Sequence, residues 1–459
     1  MSQIQSGKTF NLHPVRAKSN PYRLLLWTFL ILGGIWLLLQ LNRGQVQSPF
    51  NSTPTPTRSP QSYILAAQAY FAAGKLDDPA SNQDAIGAYQ QALEIDPNNA
   101  QVWAELARIQ TYSYSTLSTD QERLDRLQEA LGSVEKAVAL TPDDSTVSAV
   151  YAFVLDWNAS SNLISADERE AYLAQAETAA NRAYLLDPEN AVALAYYAEV
   201  LLDQQKWDQA KQYATQAVEL APDLMDTHRV LGTVLEAWGY YLLAIDEYIK
   251  ASNITPNLTF LYLRIGLGYR QLAYKQSSLY NTALEYFEKA ATINQQLGIK
   301  DPYPYIAIAK TYAQQGEFFI ASRNAEKALA FDPANADTYG QLGMIYVQAR
   351  NYETALPALR CAVDGCTAEE NKTAFVDTGI LKESRAVQPL PLTNLNIAYY
   401  YVRYGSVLAY LSTPENGYCS HSLELMTQLR LTYPDDPVLM QNVEDNEATC
   451  RSLMGTPSP

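Results

Sequence analysis

The sequence predicts an all-α solenoid of antiparallel helix pairs, preceded by one transmembrane helix, and three observations support this prediction. Proline recurs with a period of 34 residues at Pro188, Pro222 and Pro256, as in stacked helical hairpins. Each of these prolines follows a pair of alanines at fixed distances. An uncharged, apolar run, Leu24 to Leu41, lies near the start of the sequence.

The paired alanines identify the second helix of each repeat. They lie twelve and five residues before the proline, so they are two helical turns apart and share one helix face. Alanine on that face lets a neighbouring helix approach closely, and proline, which lacks an N–H group, ends the helix. Eight units carry the pair, six with the proline and two without it. The pairs are Ala85 and Ala92, Ala130 and Ala137, Ala176 and Ala183, Ala210 and Ala217, Ala244 and Ala251, Ala283 and Ala290, Ala321 and Ala328, and Ala355 and Ala362.

A large residue followed by glycine marks the first helix of several repeats. Leu231 and Gly232 follow Pro222, and Ile265 and Gly266 occupy the same positions after Pro256. With the alanine pairs, this pattern resembles the tetratricopeptide repeat (TPR), in a membrane-anchored protein of bacterial type. The resemblance implies a right-handed superhelix, with the first helix of each unit lining a concave groove, and a function in protein binding.

The apolar run from Leu24 to Leu41 is long enough to cross a membrane. At 1.5 Å per residue it spans about 27 Å, close to the ~30 Å hydrocarbon core of a bilayer. Four basic residues precede it and Arg43 alone follows closely, so the positive-inside rule predicts a cytoplasmic N-terminus and extracytoplasmic repeats. A cleaved signal peptide and a buried core helix are the alternatives. The long basic leader, the length of the run and the lack of a small-x-small cleavage site favour a retained anchor.

These features divide the sequence into seven segments. They are a basic cytoplasmic leader (1–23), the transmembrane helix (24–41), a linker rich in Pro, Ser and Thr (42–61), an array of about eight TPR units (62–363), an insertion (364–395), a degenerate ninth unit with a capping helix (396–454) and a tail (455–459). The composition of the linker favours an extended chain. In the insertion, Thr373 to Thr378 and Arg385 to Leu390 alternate in polarity, which is compatible with a short hairpin.

The composition argues against several function classes. The 459-residue chain has a formal net charge of −16, and so acidic a chain without a basic stripe argues against nucleic-acid binding. Three scattered histidines, His13, His228 and His421, suggest no Ser-His-Asp set and no metal cluster, and His228 is interpreted as structural. A phosphate-binding glycine loop is absent from the sequence. We therefore expect no catalytic residue, cofactor, metal or small-molecule substrate.

Four cysteines, Cys361, Cys366, Cys419 and Cys450, lie in the last hundred residues. Outside the cytoplasm, an even number of cysteines predicts disulfides. Cys419 begins one predicted helix and Cys450 lies near the end of the next, so an antiparallel hairpin brings them together. Cys361 and Cys366 would then link a helix end to its exit loop. Free buried thiols are an alternative; zinc binding with His421 is disfavoured because no CxxC or HxxxH spacing is present.

The TPR resemblance also predicts which residues line the groove. The candidates are Arg229, Glu236, Arg264, Arg270, Lys310, Gln348, Phe153 and Phe260. Cationic side chains in so acidic a chain are suited to a carboxylate or an acidic peptide. The alternative is that they are ordinary solvated charges matched by their neighbours.

The sequence thus predicts a non-enzymatic, single-pass protein of the cell membrane whose extracytoplasmic repeats bind a partner protein or peptide through the groove. An accessory subunit of a cell-envelope assembly or secretion complex, binding through its outer surface, is the alternative. An enzyme is less favoured, because the insertion offers no set of acid, base and nucleophile.

Overall fold

The computed structural model describes residues 20–42, 58–78, 81, 83–161, 164–413 and 415–455. The chain divides into two units, residues 1–58 and 59–459. Most of the predicted leader, most of the linker and the end of the tail lie outside the described residues. The first unit contains helix α1, Pro21–Asn42, whose window Pro21–Gln40 has a mean hydropathy of 1.8. By length and composition α1 can cross a membrane, and a signal sequence near the N-terminus has the same length and composition.

The second unit is an all-α repeat of paired helices. Its helices are α2 (Pro60–Ala72), α3 (Ala85–Ile95), α4 (Ala100–Ser113), α5 (Asp120–Leu140), α6 (Ser145–Ala159), α7 (Ala166–Leu186), α8 (Ala191–Asp203), α9 (Trp207–Leu220), α10 (Met225–Ala237), α11 (Tyr241–Ile254), α12 (Thr259–Leu272), α13 (Leu279–Leu297), α14 (Tyr303–Gln314), α15 (Phe318–Leu329), α16 (Ala336–Gln348), α17 (Tyr352–Val363), α18 (Ala368–Asn371), α19 (Leu395–Tyr410), α20 (Tyr418–Thr432) and α21 (Pro437–Leu453). From α2 to α17 successive helices pack in pairs, and α19 pairs with α20. The first helices of most neighbouring pairs also pack side by side.

Short polar side chains at the junctions between repeats start four of the first helices. Asn99, Asp144, Asn190 and Asn335 each accept a hydrogen bond from a backbone N–H group in the first turn of the helix that follows. Each stands two residues after the proline that follows the preceding helix. One short motif therefore ends a helix and caps the next one.

Small residues set the distance between the helices. All sixteen paired alanines are at most 2% exposed. On the first helices, glycines of the large-then-small pattern also allow the paired helix to approach closely. A Cβ atom at Gly232 would lie 2.8 Å from Cε1 of Tyr248, and one at Gly343 would lie 2.6 Å from Cγ of Leu359. The spacing of small residues thus accounts for the pairing of the helices.

The array curves until its first repeats contact its middle. Arg123 on α5 donates a 2.8 Å hydrogen bond to the hydroxyl of Tyr303, 180 positions further along the chain. Arg108 on α4 forms an ion pair of 3.0 Å with Asp226 on α10, 118 positions away. Side-chain contacts therefore close the first superhelical turn. The repeat pattern did not predict this closure.

The hairpin considered for the insertion is wrong over Thr373 to Thr378. Thr373 to Val376 lie in a π-helix, Lys372–Val376, that continues from α18, and Asp377 and Thr378 lie in the turn after it. A capping box at Thr367 begins the helical segment and satisfies its first N–H groups, which the polarity pattern did not reveal. The described residues contain one isolated antiparallel bridge, between Cys366 and Val387.

The structure pairs the cysteines as predicted. Cys361 is bonded to Cys366, and Cys419 is bonded to Cys450. The first disulfide joins the end of α17 to the insertion, and the second joins the start of α20 to the end of α21. The C-terminal helices are thus held to one another covalently.

Candidate functional site

A buried network of ionic and phenolic groups fills the centre of the closed turn. Asp226 accepts hydrogen bonds from the hydroxyls of Tyr112 and Tyr196, the latter at 2.6 Å, in addition to its ion pair with Arg108. Burial opposes ionisation, but Arg108 and Arg229 keep the pKa of the Asp226 carboxyl below its usual value. Asp226 is therefore a buried carboxylate that joins α4, α8 and α10.

Arg229 and Phe153 were predicted to lie on the groove, and the structure corrects both assignments. Arg229 is 3% exposed and Phe153 is 1% exposed. Arg229 donates two hydrogen bonds of 2.7 Å to Glu199 and one of 3.0 Å to Tyr112, whose ring lies 5.3 Å from that of Phe153. Because α4 lies against α10, the protein's own side chains fill the face that an open solenoid would offer to a partner.

Three further predicted residues lie beside this network and have partners within the chain. Glu236 accepts a 2.8 Å hydrogen bond from Tyr248 and forms an ion pair with Nε of Arg264 at 3.4 Å. Phe260 stacks on Tyr112, with 5.7 Å between the ring centroids. The charges of Glu236 and Arg264 are therefore matched locally, as the alternative interpretation expected.

The remaining predicted residues, Arg270, Lys310 and Gln348, line one cavity of about 480 Å³. We call it the basic cavity. It lies on the first helices α12, α14, α16 and α19, which belong to the sixth to ninth helix pairs. Its other polar lining residues are Gln314, Asp337, Gln341, Asn396, Tyr399 and Tyr400.

The two cations of the basic cavity are partly desolvated. Arg270 donates a long hydrogen bond, 3.4 Å, to the carbonyl of Ala307, and burial lowers the pKa of Arg270. Burial also lowers the pKa of Lys310, and the nearby charge of Arg270 adds to this effect. Neither cation forms an ion pair with another side chain in the part of the chain that the structure describes. The carboxylate of Asp337 in the same lining acts on Lys310 and opposes the lowering of its pKa. An anionic group entering the cavity would meet two cations and this single carboxylate.

A second cavity, of about 380 Å³, lies inside the closed turn between α6, α8, α10 and α12. We call it the acidic cavity, after Asp156 and Asp203 in its lining. Apolar and aromatic side chains form much of the rest of its wall. They are Tyr114, Trp157, Leu202, Phe260, Leu263 and Tyr303.

Sequence reasoning missed several of these residues. Asp156 ends an otherwise apolar run on α6, and a lone carboxylate in such a run was a signal that could have been used. Asn396 and Tyr399 belong to the degenerate ninth unit, to which groove positions could not be transferred residue by residue. Within the described residues, no group of three or more His, Cys, Asp and Glu side chains is placed to hold a metal ion.

A family model described as tetratricopeptide repeat matches residues 88–131 and 324–356. These two segments are TPR segments. They fall on α3 to α5 and on α15 to α17, so the TPR pattern occurs in both halves of the array. No curated protein matches the chain.

Three solved structures are similar to the chain at low sequence identity. TTC0263, a thermophilic TPR protein of Thermus thermophilus, is 20% identical with a TM-score of 0.36, over 46% of this chain and 98% of its own. YrrB, a TPR protein with an unusual peptide-binding site, is 18% identical with a TM-score of 0.32, over 48% of this chain and 97% of its own. The human IFIT1 dimer with PPP-AAAA is 16% identical with a TM-score of 0.50, over 87% of this chain and 92% of its own. The likeness to IFIT1 shows a shared fold of paired helices.

Proposed function

We propose that this TPR protein is a membrane-tethered, extracytoplasmic scaffold whose basic cavity binds an acidic segment of a partner protein. The observation that carries this proposal is the position of Arg270 and Lys310, which line one cavity and have no ion-pair partner among the described residues. Charge-assisted hydrogen bonds from such cations to a carboxylate are among the stronger polar contacts in proteins.

The other side chains of the basic cavity suit an extended peptide. Gln348 and Asn396 are exposed and carry amide groups that both donate and accept hydrogen bonds. Asp337 lines the cavity but is engaged, because it accepts hydrogen bonds from Gln341 and, at 2.9 Å, from Tyr400. Two cations and one engaged carboxylate leave the cavity with a net positive charge that favours an acidic segment.

Crosslinking in the native membrane tests this proposal. A photoreactive amino acid at Gln348 should capture a partner, and replacing Arg270 and Lys310 together by glutamine should abolish the capture. The matched control replaces Arg182 and Lys206 by glutamine, two exposed cations with carboxylate partners of their own. Capture that survives the Arg270 and Lys310 replacements unchanged would rule out the basic cavity as the binding site.

An accessory subunit that binds through its outer surface is the second candidate, because the second helices expose large apolar side chains. Leu242 and Leu243 on α11 and Phe319 and Ile320 on α15 are all exposed. Contiguous exposed apolar patches mark interaction surfaces, and each of these two helices exposes two consecutive apolar side chains. A photoreactive residue at Leu243 distinguishes the two candidates, since capture there and none at Gln348 would favour the outer surface.

We further propose that α1 is a retained anchor and that the array is a right-handed superhelix outside the cytoplasm. The apolar window Pro21–Gln40 supports membrane insertion, and two disulfides are typical of an oxidising compartment. A retained anchor predicts that the mature protein resists extraction by alkaline carbonate and keeps the residues before Pro21. Release into the soluble fraction with a new N-terminus after α1 would indicate a cleaved signal sequence.

A further inference from the structure

The acidic cavity contains a buried carboxyl oxygen without a donor. Asp156 on α6 is 2% exposed, and its Oδ1 atom has no hydrogen-bond partner among the described residues. Its carboxyl group shares a hydrogen bond with Asp203 on α8. Burial, together with the charges of Asp203 and Glu199, raises the pKa of Asp156 well above its usual value. Since buried polar atoms are nearly always paired, a ligand that fills this cavity should bring a hydrogen-bond donor.

The arginines of the acidic cavity are already matched, so an anion would find no free cation there. Arg229 is paired with Glu199 through two hydrogen bonds of 2.7 Å, and Arg264 is paired with Glu236 at 3.4 Å. Asp203 has no cationic partner among the described side chains. Burial raises the pKa of Asp203 to about 6, so above that pH its charge is uncompensated. The chemistry that matches is a positively charged group with N–H donors.

The walls of the acidic cavity suit the body of such a ligand. Trp157 and Tyr303 present aromatic rings, whose faces attract cations, and Leu202 and Leu263 add apolar surface. Tyr303 is held in the wall by Arg123, which donates to its hydroxyl and lies 4.6 Å from its ring centroid. A volume of about 380 Å³ is within the range of small-molecule sites. Because the Arg123–Tyr303 contact that closes the superhelix also positions Tyr303 in the wall, the closure forms this side of the cavity.

The structure assigns to the acidic cavity a small organic ammonium ligand, namely a protonated amine on a short aromatic or apolar body. The amine donates to Asp156 and Asp203, and the body packs against Trp157 and Phe260. This site goes beyond the proposed peptide binding, which uses other side chains on later repeats. The composition of the sequence had given no reason to expect a small-molecule ligand.

Isothermal titration calorimetry on the full chain in detergent micelles, at about pH 8, tests the assignment with phenethylamine and 2-phenylethanol as probes. The two compounds have nearly the same shape, and the amine is charged while the alcohol is neutral. The amine should bind at least about tenfold more tightly than the alcohol. Asp203 keeps part of its surface in solvent although burial raises the pKa of its carboxyl group, and asparagine has nearly the same shape, so the fold should tolerate Asp203→Asn. This replacement should weaken amine binding at least about tenfold.

The matched control is Asp143→Asn, because the Asp143 side chain is 82% exposed in a surface ion pair far along the sequence from Asp203. This variant should bind the amine within about twofold of the wild type. Equal affinity for the amine and the alcohol, no detectable binding of the amine, or full affinity in the Asp203→Asn variant would each overturn the assignment.

The pH dependence gives an independent readout. Amine affinity should be constant from about pH 7 to 8, where the amine stays protonated. It should fall as the pH drops through the pKa of Asp203, about 6, because protonation removes the attracting charge. Affinity that is flat from about pH 5 to 7, or that rises on acidification, would contradict the role of the carboxylates. The titratable or charged groups that face the carboxyl pair are Glu199, Arg229, Arg264, Tyr114, Tyr248 and Tyr303.

Discussion

Replacing Arg229 by methionine should destabilise the fold strongly, because this side chain is structural. Methionine keeps an apolar stem but removes both hydrogen bonds to Glu199 and the bond to Tyr112. Glu199 is 8% exposed and would be left as a buried carboxylate without its cation. Breaking a buried pair by removing one partner costs about 3–5 kcal/mol. We expect a loss of that size in the free energy of unfolding of the first superhelical turn.

Urea unfolding of the full chain, followed by tryptophan fluorescence, measures this loss. The indole N–H group of Trp157, one of six tryptophans, donates to Glu199 at 3.3 Å, so its share of the emission reports on the network. Adding Glu199→Leu to Arg229→Met should recover most of the loss, because both buried charges are then gone.

The control for this measurement is Arg182→Met. Its ion pair with Asp143 is exposed, with side chains 52% and 82% accessible, and an exposed pair contributes at most about 1 kcal/mol. If Arg229→Met unfolds within about 0.5 kcal/mol of the wild type, the buried network does not hold α4, α8 and α10 together and the correction of Arg229 from ligand contact to core residue fails.

Three further predictions concern the disulfides, the small residues and pH. Replacing Cys419 and Cys450 by serine should cost about 3–4 kcal/mol by the loop-entropy relation for a separation of 31, measured by urea unfolding under oxidising conditions; no change would contradict this. Gly232→Ala should cost about 1–3 kcal/mol of stability, because its Cβ atom would lie 2.8 Å from a tyrosine ring. Gly132→Ala, whose Cβ atom would have nothing within 4 Å, should instead stabilise α5 by about 0.5–1 kcal/mol. Thermal melting in which Gly232→Ala is the more stable of the two variants would refute this packing argument. The hydrogen bond that the protonated His228 ring donates to the carboxylate of Glu247 on α11 raises the pKa of His228 above 6.5. The stabilising effect of this pair is therefore full below about pH 6.5 and is lost as the pH rises through the raised pKa. The difference in free energy of unfolding between wild type and His228→Gln should therefore shrink from about pH 6 to 9. A difference that grows over this range would contradict the raised pKa of His228.

The helix pairs could be predicted because their cause is local. Ala210 and Ala217 are two turns apart on one helix, and Gly232 faces the ring of the following helix, so each position carries its own packing reason. The disulfide between Cys419 and Cys450 followed from the same hairpin geometry. Contacts between residues that are seven to about thirty positions apart can therefore be inferred from a repeating sequence pattern.

The closure of the first turn could not be predicted, because it depends on a small rotation accumulated over several repeats. Arg108 and Asp226 are 118 positions apart, and no spacing rule relates them. The same contact explains why Arg229 was assigned to an open groove. The repeat pattern correctly places the Arg229 side chain on the inner side of the first helices. The residue that covers it, Tyr112, belongs to α4 and could not be inferred from the repeat.

The candidate sites divide in the same way. Arg270, Lys310 and Gln348 could be named in advance because they stand on regular units, and the structure places them around one cavity. Asn396 belongs to a unit too degenerate for such transfer. Asp156 stands alone in an apolar run of α6, and its pairing with Asp203 on α8 is visible only in the fold.

The closed first turn is the claim on which the acidic cavity depends, and a double-mutant cycle on Arg123→Met and Tyr303→Phe tests it most directly. The two residues are 180 positions apart and are joined by a 2.8 Å hydrogen bond. Urea unfolding of the wild type, both single variants and the double variant should give a coupling energy of about 0.5–3 kcal/mol, as for residues in contact. Effects that add to within about 0.3–0.5 kcal/mol would show that the two residues do not meet and that the superhelix is open.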